Sequence, residues 1–252
     1  MKQMLSSTVI GLLALILATP AHAITNGRLD EMAHPYVGFL TTLDFTSACS
    51  GSLLSPRVFL TAGHCVYDEE LVLVTVAEDI FSSPAAAFVI GTAHRDPQCA
   101  GCGDARPHST APDVAVITLD QPILVSRYAN LPEEGLADTL QQGQRLMVVG
   151  YGVQSVDPAT KGFLSSFDGR RRRASVTLGT AGTSFEAFLK LSAKRGRDKG
   201  GVCYIDSGGP ALLEDTVLSI NSDVVSPLCT GVTYGYRIDQ ESALDFIESF
   251  LP

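Results

Sequence analysis

The chain has 252 residues, 45% of them hydrophobic, a length that suits one large all-β unit or two small domains with a real core. Its 27 acidic against 18 basic residues give a formal net charge of −9, which argues against nucleic acid or anionic lipid as the main partner. Six cysteines point to an oxidising compartment, and no apolar run reaches the roughly 20 residues of a membrane span.

The chain opens with Lys2, an apolar run from Val9 to Ala18, a break at Thr19-Pro20, and Ala21-His22-Ala23. This is the pattern of a secretory signal with an A-x-A cleavage site, so residues 1–23 read as a signal peptide and the mature, secreted chain (extracellular or periplasmic) as Ile24 to Pro252. Removing Lys2 leaves 17 basic against 27 acidic residues, a net charge of −10.

Short β-branched or apolar runs follow, bounded by turn residues: Tyr36 to Leu40, Val58 to Thr61, Leu71 to Val76, Ala87 to Ile90 and Val114 to Leu119. Further along come Arg145 to Val149, Ala174 to Leu178, Ala211 to Leu213, Val217 to Ile220 and Gly235 to Ile238. Their number and irregular spacing predict an all-β sandwich or barrel, with any joint between two domains near Asp120 to Ser126. The basic run Arg170 to Arg173 reads as a solvated loop, or alternatively as a proteolytic processing site. After Asp239, a reasonable N-cap, apolar residues from Ala243 to Leu251 recur at helical spacing and predict one amphipathic helix on the last strand.

Local pairing of the cysteines gives Cys49 with Cys65, Cys99 with Cys102, and Cys203 with Cys229. The close pair has a rival reading, since His94, Cys99, Cys102 and His108 could together ligate zinc. The loop Tyr67-Asp68-Glu69-Glu70 is too brief for calcium, and neither metal nor cofactor is expected.

Three weak signals carry the chemistry. Thr61-Ala62-Gly63-His64-Cys65 sets a histidine at the rigid end of an apolar strand, a sound place for a general base. Asp113 stands at the mouth of another apolar strand, where a carboxylate could fix the tautomer of that histidine. Cys203-Tyr204-Ile205-Asp206-Ser207-Gly208-Gly209-Pro210 is a tight turn that suits an exposed nucleophile with backbone N–H groups beside it.

In the order His, Asp, Ser, and with Ile24-Thr25-Asn26-Gly27 and Gly150-Tyr151-Gly152, these motifs resemble the chymotrypsin-like (trypsin-like) serine peptidases over essentially the whole mature length. Cys49 with Cys65 and Cys203 with Cys229 match two of that family's usual disulfides. The resemblance implies two six-stranded antiparallel β-barrels, about 24–122 and 123–238, followed by a C-terminal α-helix over 239–251. It also implies a monomeric secreted endopeptidase acting on protein or peptide substrates, with no nucleic-acid partner and no membrane after signal cleavage. Ser207 would be the nucleophile, His64 its base and Asp113 the orienting acid, with backbone N–H groups of Ile205 and Ser207 as the oxyanion hole. Asp206 would pair with the new α-amino group of Ile24.

Gly201, six residues before Ser207, would floor the primary pocket, with Ser222, Val224 and Thr233 around it. Without an acid at Gly201 a Lys/Arg preference is not expected, and Val224 suggests a shallow pocket for small or medium apolar side chains. Ile205 departs from the family's glycine. A β-branched residue resists positive φ, and a flipped peptide there would cost one oxyanion donor. That departure gives the alternative reading of a catalytically weak or inactive homologue that serves as a binding protein.

Overall fold

The computed structural model describes residues 24–25, 27–99, 101–102, 111–159, 166–179, 187–192 and 200–252; the expected signal peptide and His108 lie outside them. The first half forms strands β1 (Arg28–Leu29), β2 (Val37–Thr42), β3 (Ala48–Ser55), β4 (Val58–Thr61), β5 (Leu71–Thr75), β6 (Val89–Arg95) and β7 (Ala115–Leu119), of which β1 and β3 lie outside the apolar runs. Strands β2 to β7 close a barrel in the order β2-β3-β4-β7-β6-β5, and all its ladders are antiparallel. Closure leaves no open edge among them. Phe59, Val74 and Ile117 are among its buried core residues, the Phe59 ring passing over Gly38 and Gly51 and a branch of Ile117 over Gly91.

The second half supplies β8 (Arg145–Gly150), β9 (Arg172–Leu178), β10 (Phe188–Ser192), β11 (Pro210–Leu213), β12 (Thr216–Val224) and β13 (Val232–Arg237). They run β9-β10-β13-β12-β11-β8, and the β8–β9 ladder closes the ring as a second six-stranded antiparallel barrel. The first described residues belong to this second barrel rather than the first. β1 pairs with β9, Thr25 bridges to Gly201, and Ile24 is fully buried in the second core with Val148, Val176 and Leu191. The Ile24 side chain needs apolar company, and that core provides it.

The arginine run corrects the expectation of a solvated loop. Arg172 and Arg173 lie on β9, and Arg171 is fully buried. Its Nε donates to Asp30 Oδ2 at 3.0 Å and its Nη1 to the carbonyls of Val37 and Val76, both at 2.9 Å. A buried guanidinium persists only where its donors find acceptors, and here they come from the N-terminal arm and from one end of the first barrel's strand pair β2–β5, where β2 begins and β5 has just ended. One charged side chain thus fastens the two barrels.

Helix α1 (Glu241–Glu248) begins after Gln240, one residue later than the Asp239 cap would place it. Asp239 is committed elsewhere: it accepts from the Ala137 N–H at 2.7 Å and from Arg237 Nε at 2.9 Å. The helix buries Ala243, Leu244 and Ile247, and Phe250 beyond it stacks on His94 of β6 at 4.9 Å, so this end of the chain reaches the first barrel. Among the described residues, no helix is long and apolar enough to cross a membrane.

Candidate active site

Strand register brings the first two candidates together. Thr61 of β4 pairs with Ala115 of β7, so the three residues after Thr61 and the two before Ala115 leave the same end of one ladder. The chain then turns through a short 3-10 helix, Gly63–Cys65, fixed by the Cys49–Cys65 disulfide to β3. His64 and Asp113 meet there. Asp113 Oδ1 accepts the His64 backbone N–H at 2.9 Å, and Oδ2 accepts from His64 Nδ1 at 2.8 Å. With Nδ1 as donor, the lone pair of Nε2 is left to accept a proton.

Burial opposes charge on His64, but the Asp113 carboxylate, by charge and hydrogen bond, and the charge of Asp223 outweigh it and raise its pKa. Burial likewise opposes ionisation of Asp113, yet His64 and the hydroxyl of Ser222 hold its carboxyl below the usual range. Ser222, expected only as a pocket wall, donates its Oγ to Asp113 Oδ2.

Ser207 sits in the turn before β11. Asp206 N–H donates to the Cys203 carbonyl at 3.1 Å, and Ile205, third of the four turn residues, has φ +75° while Tyr204 stays negative. These are the marks of a type II turn, in which the third residue must take positive φ and is normally glycine. Isoleucine nevertheless adopts it. The flipped alternative, a type I turn, would let Ile205 keep negative φ, so neighbours must hold the observed form.

Ser50 of β3 is one of them: its Oγ donates to the Ile205 carbonyl at 2.9 Å and its N–H to the Ser207 carbonyl at 2.8 Å. Ile205 also packs against the buried cluster of Val153, Val156 and the Cys203–Cys229 disulfide. Among the described residues, neither the Ile205 N–H nor the Ser207 N–H donates to any protein acceptor.

Asp206 points inward and is fully buried. Its oxygens accept from Gly152 N–H at 2.7 Å and Cys203 N–H at 2.9 Å, and a Cβ on Gly152 would collide with the carboxyl group. Burial pushes its pKa up to about 7, and the two N–H donors offset only part of that. Ile24 is buried beside the Thr25–Gly201 bridge, and among the described residues no hydrogen bond joins Ile24 to Asp206.

Two cavities meet at Ser207. A small one of about 130 Å³ is lined by Val202, Cys203, Tyr204, Ser222, Asp223 and Val224. Gly201 and Thr233 are not among its walls; Gly201 bonds to Thr25, and Thr233 lies in the β12–β13 ladder opposite Val224. Asp223, half-buried, is an acid that motif reading passed over; burial raises its pKa despite the Val224 N–H and His64. The large cavity, about 820 Å³, is lined by His64, Ile205 and an aromatic group that includes Phe39, Phe45, Phe81 and Phe167. No hydrogen bond joins His64 to Ser207 among the described residues, but both face this space.

The three disulfides are Cys49–Cys65, Cys99–Cys102 and Cys203–Cys229. Sulfurs bonded to each other are not thiolate ligands, so the zinc reading of the close pair falls. Asp68, Glu69 and His94 bring carboxylates and an imidazole within 4.8 Å of one another, but His94 is already engaged with Thr118 and Phe250.

A family model described as Trypsin matches residues 27–247. The cercarial protease of Schistosoma mansoni is 29% identical over 236 residues, covering 85% of this chain and 84% of that protein. Human heparin binding protein shares the fold with a TM-score of 0.70 at 20% identity, over 90% of this chain and 96% of its own. A scabies mite inactivated protease paralogue, S-I1, does so with a TM-score of 0.65 at 19% identity, over 89% and 98%.

Proposed function

Because this chain belongs to the trypsin family of serine proteases, we propose that it is a secreted endopeptidase working through Ser207, His64 and Asp113. The observation that carries the reading is the double acceptance of His64 by Asp113, with His64 and Ser207 facing one cavity. His64 Nε2 takes the proton of Ser207 Oγ as the oxygen attacks the scissile carbonyl, and Asp113 stabilises the imidazolium. The uncommitted N–H groups of Ile205 and Ser207 receive the oxyanion. His64 then gives the proton to the leaving amine. Water, deprotonated by His64, releases the acyl group and restores Ser207.

His64 lines the large cavity and not the small one. Since His64 protonates the leaving amine, the leaving segment lies in the large aromatic cavity and the acyl-side side chain in the small one. About 130 Å³ beside Val224 suits a small or medium side chain and not extended Lys or Arg. Cleavage after Ala23 frees the Ile24 amine, which pairs with the buried Asp206 carboxylate and fixes the turn. Three disulfides support an oxidising compartment and hence export.

The second reading, a binding protein on the same fold, is favoured by Ile205, whose left-handed φ is strained for a β-branched residue. Labelling with a fluorophosphonate, beside a Ser207→Ala control, separates the two. Ser207-dependent labelling is expected; none in protein that starts at Ile24 would overturn the enzyme reading.

A further inference from the structure

The close disulfide lies against the candidate dyad. Both sulfurs of Cys99 and Cys102 are within 4.8 Å of an Asp113 carboxylate oxygen. On the other side they press on Gly63, the residue before His64: a Cβ there would collide with Cys99 Sγ and come within 3.0 Å of Cys102 Sγ. Segment 95–99 is itself pinned to this corner. Asp96 N–H donates to the Val114 carbonyl at 3.1 Å, and Arg95 donates to the carbonyls of Cys99 at 2.6 Å and Val66 at 3.4 Å. A bridge spanning a sequence separation of 3 closes little chain, so it adds less to fold stability than the bridges spanning 16 and 26. Its placement, not its loop, is what it contributes.

We propose that Cys99–Cys102 is a positioning pair for His64 and Asp113, and that opening it with a dithiol loosens their contact and lowers turnover. The reading rests on the catalytic role given above to that dyad. The thiolate of the dithiol attacks Sγ of Cys102, which is partly exposed, while Cys99 is buried. Cys99 leaves as a thiolate and takes a proton. The second thiol of the reductant then closes a cyclic disulfide and releases Cys102. Two electrons reduce the protein disulfide as the dithiol is oxidised. Bonded sulfurs sit about 2 Å apart. Free thiols need roughly 3.5 Å or more, the range of non-bonded contacts. Against Gly63 that room exists only if the turn carrying His64 moves. A new S–H beside Asp113 also competes with His64 for the carboxylate.

The test is a double-mutant cycle on the full protein, read on His64 itself. The low-field proton resonance of its Nδ1–H and its titration midpoint are followed by NMR, and kcat and KM are taken with an activated ester. Asp113, Asp223 and Arg95, the charged groups acting on His64, are common to every variant. The variant C99A/C102A is expected to broaden the Nδ1–H signal, lower the midpoint, and reduce kcat about tenfold or more with KM little changed. The G63A change should do the same in the disulfide-bearing protein and nothing further in C99A/C102A. An unchanged His64 signal in C99A/C102A, or full additivity with G63A, overturns the proposal.

If C99A/C102A does not fold, wild-type protein reduced at this pair alone, verified by mass of alkylated peptides, replaces it; an unmoved His64 then decides against. A shifted His64 in a protein without ester turnover would leave the positioning intact and defeat the enzyme reading instead.

Discussion

The buried Asp206 makes opposite predictions for two forms of the same chain. With the Ala23–Ile24 bond intact the carboxylate has two N–H donors among the described residues, and burial sets its pKa at about 7 against an ordinary 3.8. The folded state then binds more protons than the unfolded one between these values, so stability falls as pH rises through that window. A shift of about three units corresponds to about 4 kcal/mol. Replacing Asp206 by Asn removes the titration but turns one acceptor toward the Gly152 or Cys203 N–H into a donor, a loss of about 1–3 kcal/mol. At pH 8 the net for the uncleaved form is a gain of about 1–3 kcal/mol from Asp206→Asn.

After cleavage the Ile24 amine would supply the missing cation, and the same substitution should cost about 3–5 kcal/mol by stranding it. Urea unfolding of both forms at pH 4.5 and 8 reads the difference, with other titrating groups cancelling between wild type and variant. Uncleaved wild type that gains stability over Asp206→Asn between pH 4.5 and 8 would refute the reasoning.

Ile205→Gly relieves about 1–2 kcal/mol of left-handed strain but gives up comparable apolar packing, so turnover and stability should stay near wild type; a rise of about 100-fold in kcat would mean the wild-type peptide is flipped in solution. Ser50→Ala removes the bond to the Ile205 carbonyl, worth about 1 kcal/mol, and leaves the Tyr151 N–H without its acceptor; kcat for an activated ester should fall several-fold with KM nearly constant. Asp223→Asn withdraws a negative charge that raises the pKa of His64, so the acid limb of kcat/KM should move to lower pH, and an unmoved or rising limb in a pH–rate profile counts against it.

Both barrels and the dyad were legible because their signals are local. A strand such as Val58–Thr61 is three apolar residues and a β-branched one, and the residues after it form a compact motif. β3 was not, since Ser50-Gly51-Ser52 looks like turn chemistry; the three are buried because Gly51 admits the Phe59 ring and Ser50 bonds to the nucleophile turn, contacts made far along the chain. β10 could have been found, because Phe188–Ser192 alternates buried Leu189 and Leu191 with an exposed Lys190. Arg171 could not. Its acceptors sit on three separate segments, and only the closed fold assembles them.

That arginine has a bearing on how long a copy of the protein survives. Four consecutive arginines are an easy target for enzymes that cut after basic residues, provided the chain there can be drawn out. In the folded molecule Arg171 is wholly enclosed and Arg172 is 4% exposed, so the run is shielded for as long as the barrels hold together. Once they part, the chain is severed within its second half. Cleavage within this run is therefore a mark of copies whose barrels have already come apart.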